Sequence, residues 1–309
     1  MYFSRRSTPV LDRQAGPSAP DGLTGSGRWR RLLVAPNVAL LGMTSLVTDV
    51  SSEMVSSVLP LYLTVRLGFS ALQFGATDGL MGLATALTGL MGALLADRWR
   101  RYREVAGTGY GLSATSRLGL RSARGWFPIL GWLTADRFGK GIRTGPRDAL
   151  ISLSAPPGRL GEAFGLHRML DTGGALAGPL LAVVLLSVAP GSYSNVFLAS
   201  FFIAAGGLAI LVLFVENRSA RHAGTAARLW SPLRSLWSHR LYRRVLLATA
   251  LLSIAAVSDS FLFLTLRRRV SIDQRWFPIL FVVESVVYLV LAVPCGRLSD
   301  RLGAGRVLL

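Results

Sequence analysis

Cysteine is almost missing from this chain: Cys295 is the only thiol in 309 residues, so neither an internal disulfide nor a Cys-based metal site can form. Histidine is scarce as well, three in all with no pair four apart on a helix, which leaves no spacing for a zinc site. Charged residues make up only 16% of the composition, and Lys140 is the only lysine. No G-x-S-x-G elbow, Cys–His pair or ATP-binding motif occurs, which excludes the common hydrolase sites and an ATP-driven pump. The run around Gly139 and Lys140 fails as a phosphate loop, because Thr134 stands where its first glycine belongs and no Ser or Thr follows the lysine. We therefore expect no enzyme, no cofactor and no bound metal.

What the chain has in abundance is apolar length. It is 51% hydrophobic with a mean hydropathy of +0.46, more apolar surface than a soluble core can hide. A bilayer core about 30 Å thick is crossed by roughly 20 apolar helical residues. Eight runs qualify as spans, near 34–65, 72–96, 104–121, 125–143, 163–187, 194–215, 245–266 and 276–297. Pro60 predicts a kink or helix end late in the first. The third and fourth are interrupted by Arg117, Asp136, Arg137 and Lys140. The fold class that follows is an all-α polytopic membrane protein, because helices satisfy their own backbone in lipid.

The net charge of +18 is not spread like a nucleic-acid site. Most basic residues fall before the first span and after the second, fourth, sixth and eighth. The positive-inside rule then places the amino terminus and these loops in the cytoplasm, with the chain as a multi-pass protein of the cell (inner) membrane. Arg267, Arg268, Arg269 and Arg275 fall in an outer loop and are an exception the rule leaves unexplained. Residues 1–31, rich in Ser, Pro, Gly and Arg, read as a disordered cytoplasmic tail. The layout expected is a six-helix bundle over 32–217, a basic cytoplasmic loop over 218–244, and a partial second bundle over 245–309.

The stretch ALLADRWRRYR at 93–103 and GRLSDRLGAGR at 296–306 are two copies of one pattern, each at the cytoplasmic end of an even-numbered span, six spans apart. Paired six-helix halves are the ground plan of several secondary transporters. An Asp at such a helix end can accept hydrogen bonds from the next helix, and its arginines can pair with acids or lipid phosphate. The pair thus forms a conformational latch. Gly296, Leu298, Asp300, Arg301 and Gly303 resemble the G-x-L-x-D-R-x-G-R-R signature of the major facilitator superfamily. In the first copy Leu95, Asp97, Arg98 and Arg101 match, while Ala93 and Arg100 replace glycines. In the fifth span Gly165, Gly174, Gly178 and Pro179 resemble the spacing found in that superfamily's proton-exchanging exporters, with Ala182 departing from the last glycine. Arg137 with Gly141 resembles its helix-four motif, and Asp136–Ile151 looks like the end of helix four and the loop after it. Lys140, Arg143 and Arg147 read equally as anchors of a cytoplasmic loop to acidic lipid or as groups with a substrate role.

The resemblance implies an MFS-type six-helix N-terminal bundle plus the first two helices of a C-terminal one. It also implies secondary transport of a small molecule, proton-coupled and export-biased, by alternating access: an antiporter or efflux protein. Symmetry calls for four more helices after the second latch, and the expectation is a chain truncated after the eighth of twelve. A fragment or one part of a split transporter are the competing accounts, and a monomer is expected of the full-length protein. The rival function is a non-transporting membrane scaffold or regulatory module, held by Trp230, Leu233, Leu236, Trp237 and Tyr242 of the basic loop.

Carboxylates at membrane depth are functional candidates, because burying one without a partner or water costs several kcal/mol. Asp49 and Glu53 are four apart on one face of the first span and form the leading candidate for a proton or cation site. Asp78, Asp171 and Asp259 are further single acids, with Arg137 and Arg168 as possible partners. His167 reads as a satisfied polar residue in the loop entering the fifth span. Trp126, Trp132 and Trp276 read as interfacial anchors, and 107–111, GTGYG, as close packing.

Overall fold

The computed structural model describes residues 35–218, 240–255 and 258–302, with the backbone alone for 241, 250–255 and 292–302. The expected tail over 1–31 and nearly all of the loop over 218–244 lie outside the described residues. Among those described there are nine helices and no strand: α1 Pro36–Leu61, α2 Ala71–Trp99, α3 Tyr102–Ser122, α4 Trp126–Ser154, α5 Leu160–Val188, α6 Tyr193–Phe214, α7 Arg240–Ala255, α8 Asp259–Val270 and α9 Ile279–Leu302.

Local chemistry explains the boundaries. α1 opens with Pro36 in its first turn, where the missing N–H is no loss. Pro60 does not end the helix; past it the chain continues through a wider π-helical turn, Tyr62–Arg66, with the Thr64 hydroxyl donating to the Pro60 carbonyl at 2.6 Å. α2 starts in a capping box: the Gln73 N–H donates to Ser70 Oγ at 3.2 Å and the Ser70 N–H to Gln73 Oε1 at 2.9 Å. It stops at Arg100, which holds the left-handed conformation, φ 54° and ψ 28°, usually taken by glycine. That explains why the family signature has glycine at this step.

Three elements differ from expectation. The segment after residue 143 is no loop: α4 continues through Arg143, Arg147 and Pro146 to Ser154, 29 residues in all. At about 1.5 Å per residue this is roughly 43 Å of helix. Likewise His167 sits inside α5, not in a loop before it. Ser258 is extended and α8 begins at Asp259, so this acid lies in a first helical turn.

In the bundle α1 packs on α5 and α6, α4 fits between α2 and α3, α3 leans on α6, and α9 lies along α5. Glycines permit the closest approaches. A Cβ at Gly109 would come 2.6 Å from the Gly139 carbonyl and one at Gly139 2.5 Å from the Gly109 carbonyl, so α3 and α4 touch backbone to backbone. Buried apolar side chains form two separate cores. One gathers Met54, Val58, Leu63, Leu120, Leu133, Leu186 and Phe197; the other gathers Val38, Leu41, Tyr102, Tyr110, Leu150 and Leu211. Between them, at mid-height, lies a polar layer of Ser45, Thr48, Ser51, Ser113, Arg117, Arg143 and Ser200.

Among the described residues, four helices are long and apolar enough to cross a membrane on those grounds alone: α1 with its π turn, α2, α5 and α6. α3 and α4 have the length but carry charge, and most of that charge is directed into the polar layer.

Candidate functional site

Residues three and four apart share one side of a helix, so Ser45, Asp49, Ser52, Glu53 and Ser56 line one face of α1, and Arg137, Lys140, Arg143 and Arg147 one face of α4. The two faces meet in antiparallel register. Arg147 Nη1 lies 3.5 Å from Ser45 Oγ, Arg143 Nη2 3.5 Å from Asp49 Oδ1, Lys140 Nζ 3.9 Å from Glu53 Oε1, and Arg137 Nη2 3.4 Å from Ser56 Oγ. Four cations of one helix thus face two acids and two hydroxyls of another. Of the two readings left open for Arg143, lipid anchoring fails: it is buried, with a side chain 3% exposed and its guanidinium 4.5 Å above the Tyr110 ring.

α5 closes the site from a second side. Asp171 is 3.9 Å from Arg147 and 3.4 Å from Arg168. Asp49 and Asp171 thus lie on neighbouring arginines of the same α4 face, Arg143 and Arg147. Buried His167 bonds Ser45 Oγ through Nε2 at 2.8 Å. α3 contributes Arg117, buried, which donates to Ser52 Oγ at 2.9 Å and to the Ser113 carbonyl at 2.6 Å and lies 3.6 Å from Asp136.

On the shared face Asp49 pairs with Arg143, whereas Glu53 faces Lys140 and a cavity of about 240 Å³ that it lines with Asp259 of α8 and Glu284 of α9. An adjoining cavity of about 280 Å³ is lined by Arg168, Asp171, Glu284 and Tyr288, so the two share Glu284. Asp78 makes no hydrogen bond or ion pair with a described residue, and Arg137 meets a serine and no acid. No group of acids and histidines among the described residues has metal-site geometry.

The glycines of α5 set this geometry. A Cβ at Gly174 would fall 2.5 Å from the Leu46 carbonyl oxygen and 3.0 Å from Asp49 Cβ; one at Gly178 would fall 2.6 Å from the Val50 carbonyl and 3.0 Å from Glu53 Cβ. Bare backbone at these two steps lets α5 press against α1 beside both acids. Gly165 has open space around it, and Pro179 is buried inside the helix.

Of the latch residues, Asp97, Arg98 and Arg101 are exposed at the α2–α3 turn. Asn217, just past α6, clasps the turn by donating to the Arg100 carbonyl at 3.4 Å and accepting from the Arg103 N–H at 3.1 Å. Gly296, Asp300 and Arg301 fall in the last turns of α9, whose side chains lie outside the described residues.

Sequence reasoning missed Glu284, though a lone acid in an apolar run is the signal that singled out Asp49. It also missed the roles of Arg117, Asp136, Arg143 and Arg147, whose partners are on other helices and leave no mark in local sequence.

A helical bundle with ionisable groups turned inward onto cavities, and apolar faces turned outward, defines the class of polytopic membrane transport proteins. The profile of the Major Facilitator Superfamily matches residues 41–309, and the chain belongs to that family. An MFS-type transporter of Methanocaldococcus jannaschii, described only as uncharacterized, is 28% identical over 282 residues, covering 89% of this chain and 69% of the relative. Among solved structures, a bacterial homologue of the human lysosomal transporter Spinster, inward-facing and unoccupied, superimposes with a TM-score of 0.67 at 17% identity, over 87% of this chain and 64% of that one. A D-xylose–proton symporter does so with a TM-score of 0.60 at 15% identity, over 85% and 68%. The chain thus spans about two thirds of the length of these proteins, and at such identities the likeness of the solved structures concerns the fold. Transmembrane transport by a multi-pass membrane protein is the activity class that the family carries.

Proposed function

We propose that this chain belongs to a proton-coupled, export-biased secondary transporter of a small molecule, in which Asp49 and Asp171 carry the proton and Arg143 and Arg147 hold the carboxylates left when it departs. The observation that supports this most is the pairing of Asp49 with Arg143 and of Asp171 with Arg147, two arginines on one face of α4, beside a cavity that Asp171 lines. With the proton bound, the acids need little from the arginines. Once the proton leaves, two anions draw both guanidiniums, and the α1–α4–α5 contact tightens. A substrate competing for the same groups would then exchange against the proton.

In this reading residues 32–217 form one lobe and residues 245–309 part of the other, with cytoplasmic amino terminus and loops in the inner membrane. The substrate enters between the lobes, and the turn holding Asp97, Arg98 and Arg101 latches one of the two states, with Gly296, Asp300 and Arg301 as its counterpart. Export bias rests on the α5 glycines and Pro179, with Asp78 and Asp259 as secondary acids. The full-length transporter works as a monomer.

The test is substrate-triggered proton release from acid-loaded everted vesicles, screened over a panel of small organic cations, anions and neutral solutes. Asp49→Asn and Asp171→Asn are each expected to abolish release while protein insertion and amount stay unchanged. Release that persists in both variants, or its absence for every compound with the native sequence, overturns the proposal.

A further inference from the structure

At the end of the bundle away from the start of α1, two cavities adjoin. The larger, about 750 Å³, lies between the α5–α6 turn and the α8–α9 turn and is lined by Arg267, Arg268 and Arg275; the smaller, about 280 Å³, is lined by Arg66 and Arg121. Tyr193 and Gly191 border both. Five guanidiniums from four separate stretches of chain converge here against one carboxylate, Asp273.

That carboxylate is already engaged. Arg275 meets Asp273 at 3.1 Å and again at 3.3 Å through Nε, and this contact holds the Asp273 carboxyl below the usual carboxylate range. Arg121 donates to Ser194 Oγ at 3.0 Å, and Arg267 uses only its Nε, toward the Ile272 carbonyl at 3.3 Å. Arg66 and Arg268 make no hydrogen bond or ion pair with a described residue. Guanidinium forks match phosphate and carboxylate oxygens in pairs, and like charges brought together around a cavity of ligand size are stabilised by an anion between them. Small-molecule sites run to roughly 300–1,000 Å³. Three of the four arginines that break the positive-inside pattern, Arg267, Arg268 and Arg275, line this cavity.

We infer that this vestibule is an anion site for a phosphate ester, supplied either by a free phosphorylated metabolite or by the headgroup of an anionic lipid.

Two probes separate the sources. The purified chain is placed in phosphatidylcholine nanodiscs and titrated with glycerol 3-phosphate by calorimetry, and in parallel its thermal stability is compared in phosphatidylglycerol and phosphatidylcholine nanodiscs. Saturable binding in the first arm identifies a free anion, and stabilisation in the second alone identifies a lipid. In either case Arg267→Ala with Arg268→Ala is expected to weaken binding, or the lipid-dependent stabilisation, at least tenfold. Asp273→Asn, which frees Arg275, is expected to strengthen it several-fold. Arg269→Ala removes one positive charge from a neighbouring residue outside the lining and is expected to leave binding at the native level, whereas Arg267→Ala or Arg268→Ala alone is expected to weaken it. Absence of both effects in the native protein, equal effects in the Arg267/Arg268 variant, or equal losses in Arg269→Ala overturn the inference.

Discussion

Arg117 has its guanidinium divided between Asp136, Ser52 and the Ser113 carbonyl, with Nε left without a partner. A buried pair is worth little against an apolar substitute, but half of one is costly, because the remaining charge has neither water nor partner. Arg117→Ala is therefore expected to destabilise the bundle by about 3–5 kcal/mol, and Arg117→Leu with Asp136→Leu by clearly less. Thermal denaturation in detergent reads the difference; equal losses would show that Asp136 is reached by water. At this scale the sequence was legible for isolated acids, since a carboxylate in an apolar run announces itself. It was silent on the arginines of α4, for hydropathy scores a charge alike whether it faces water or a carboxylate on the next helix. Arg143 thus read equally as a loop anchor or a substrate group until Asp49 and Tyr110 were found beside it.

α5 is the element that brings the acids together, and its glycine spacing was readable while its consequence was not. The sequence shows small residues at 174 and 178; only the packed helices show that each lies against the backbone of α1 next to Asp49 and Glu53. Gly178→Val is expected to push α5 off α1, at about 1–3 kcal/mol from overpacking. It should also remove most proton release in the vesicle assay, whereas Gly165→Val, with open space around it, should leave release intact. Equal effects of the two would mean that the motif acts through helix flexibility and not through contact. Helix ends were legible where caps are local, as at Ser70 and Gln73. They were misread at α4, because the charges look like loop signals, although the helix runs through them to Ser154 with Arg143 buried against Asp49.

For the whole molecule, the repeat six spans apart pointed to the family, and the family match over residues 41–309 agrees with it. The contact through which one lobe would act on the other was beyond sequence, because it depends on α9 lying along α5 with Ala175 and Ser285 lining the same two cavities. Alternating access requires this contact to open and close. Cys295 is the only native thiol, so a Cys295→Ala background can carry Ala175→Cys and Ser285→Cys alone. Joining them with a reducible bis-maleimide is expected to stop proton release, and reduction of the linker to restore it, while either single cysteine treated in the same way retains release. Relative motion of α5 and α9 then belongs to the transport cycle. Full release from the joined protein would instead place the moving boundary elsewhere and leave the α5–α9 cavities as a fixed lining, with Glu284 near Asp171 in both states.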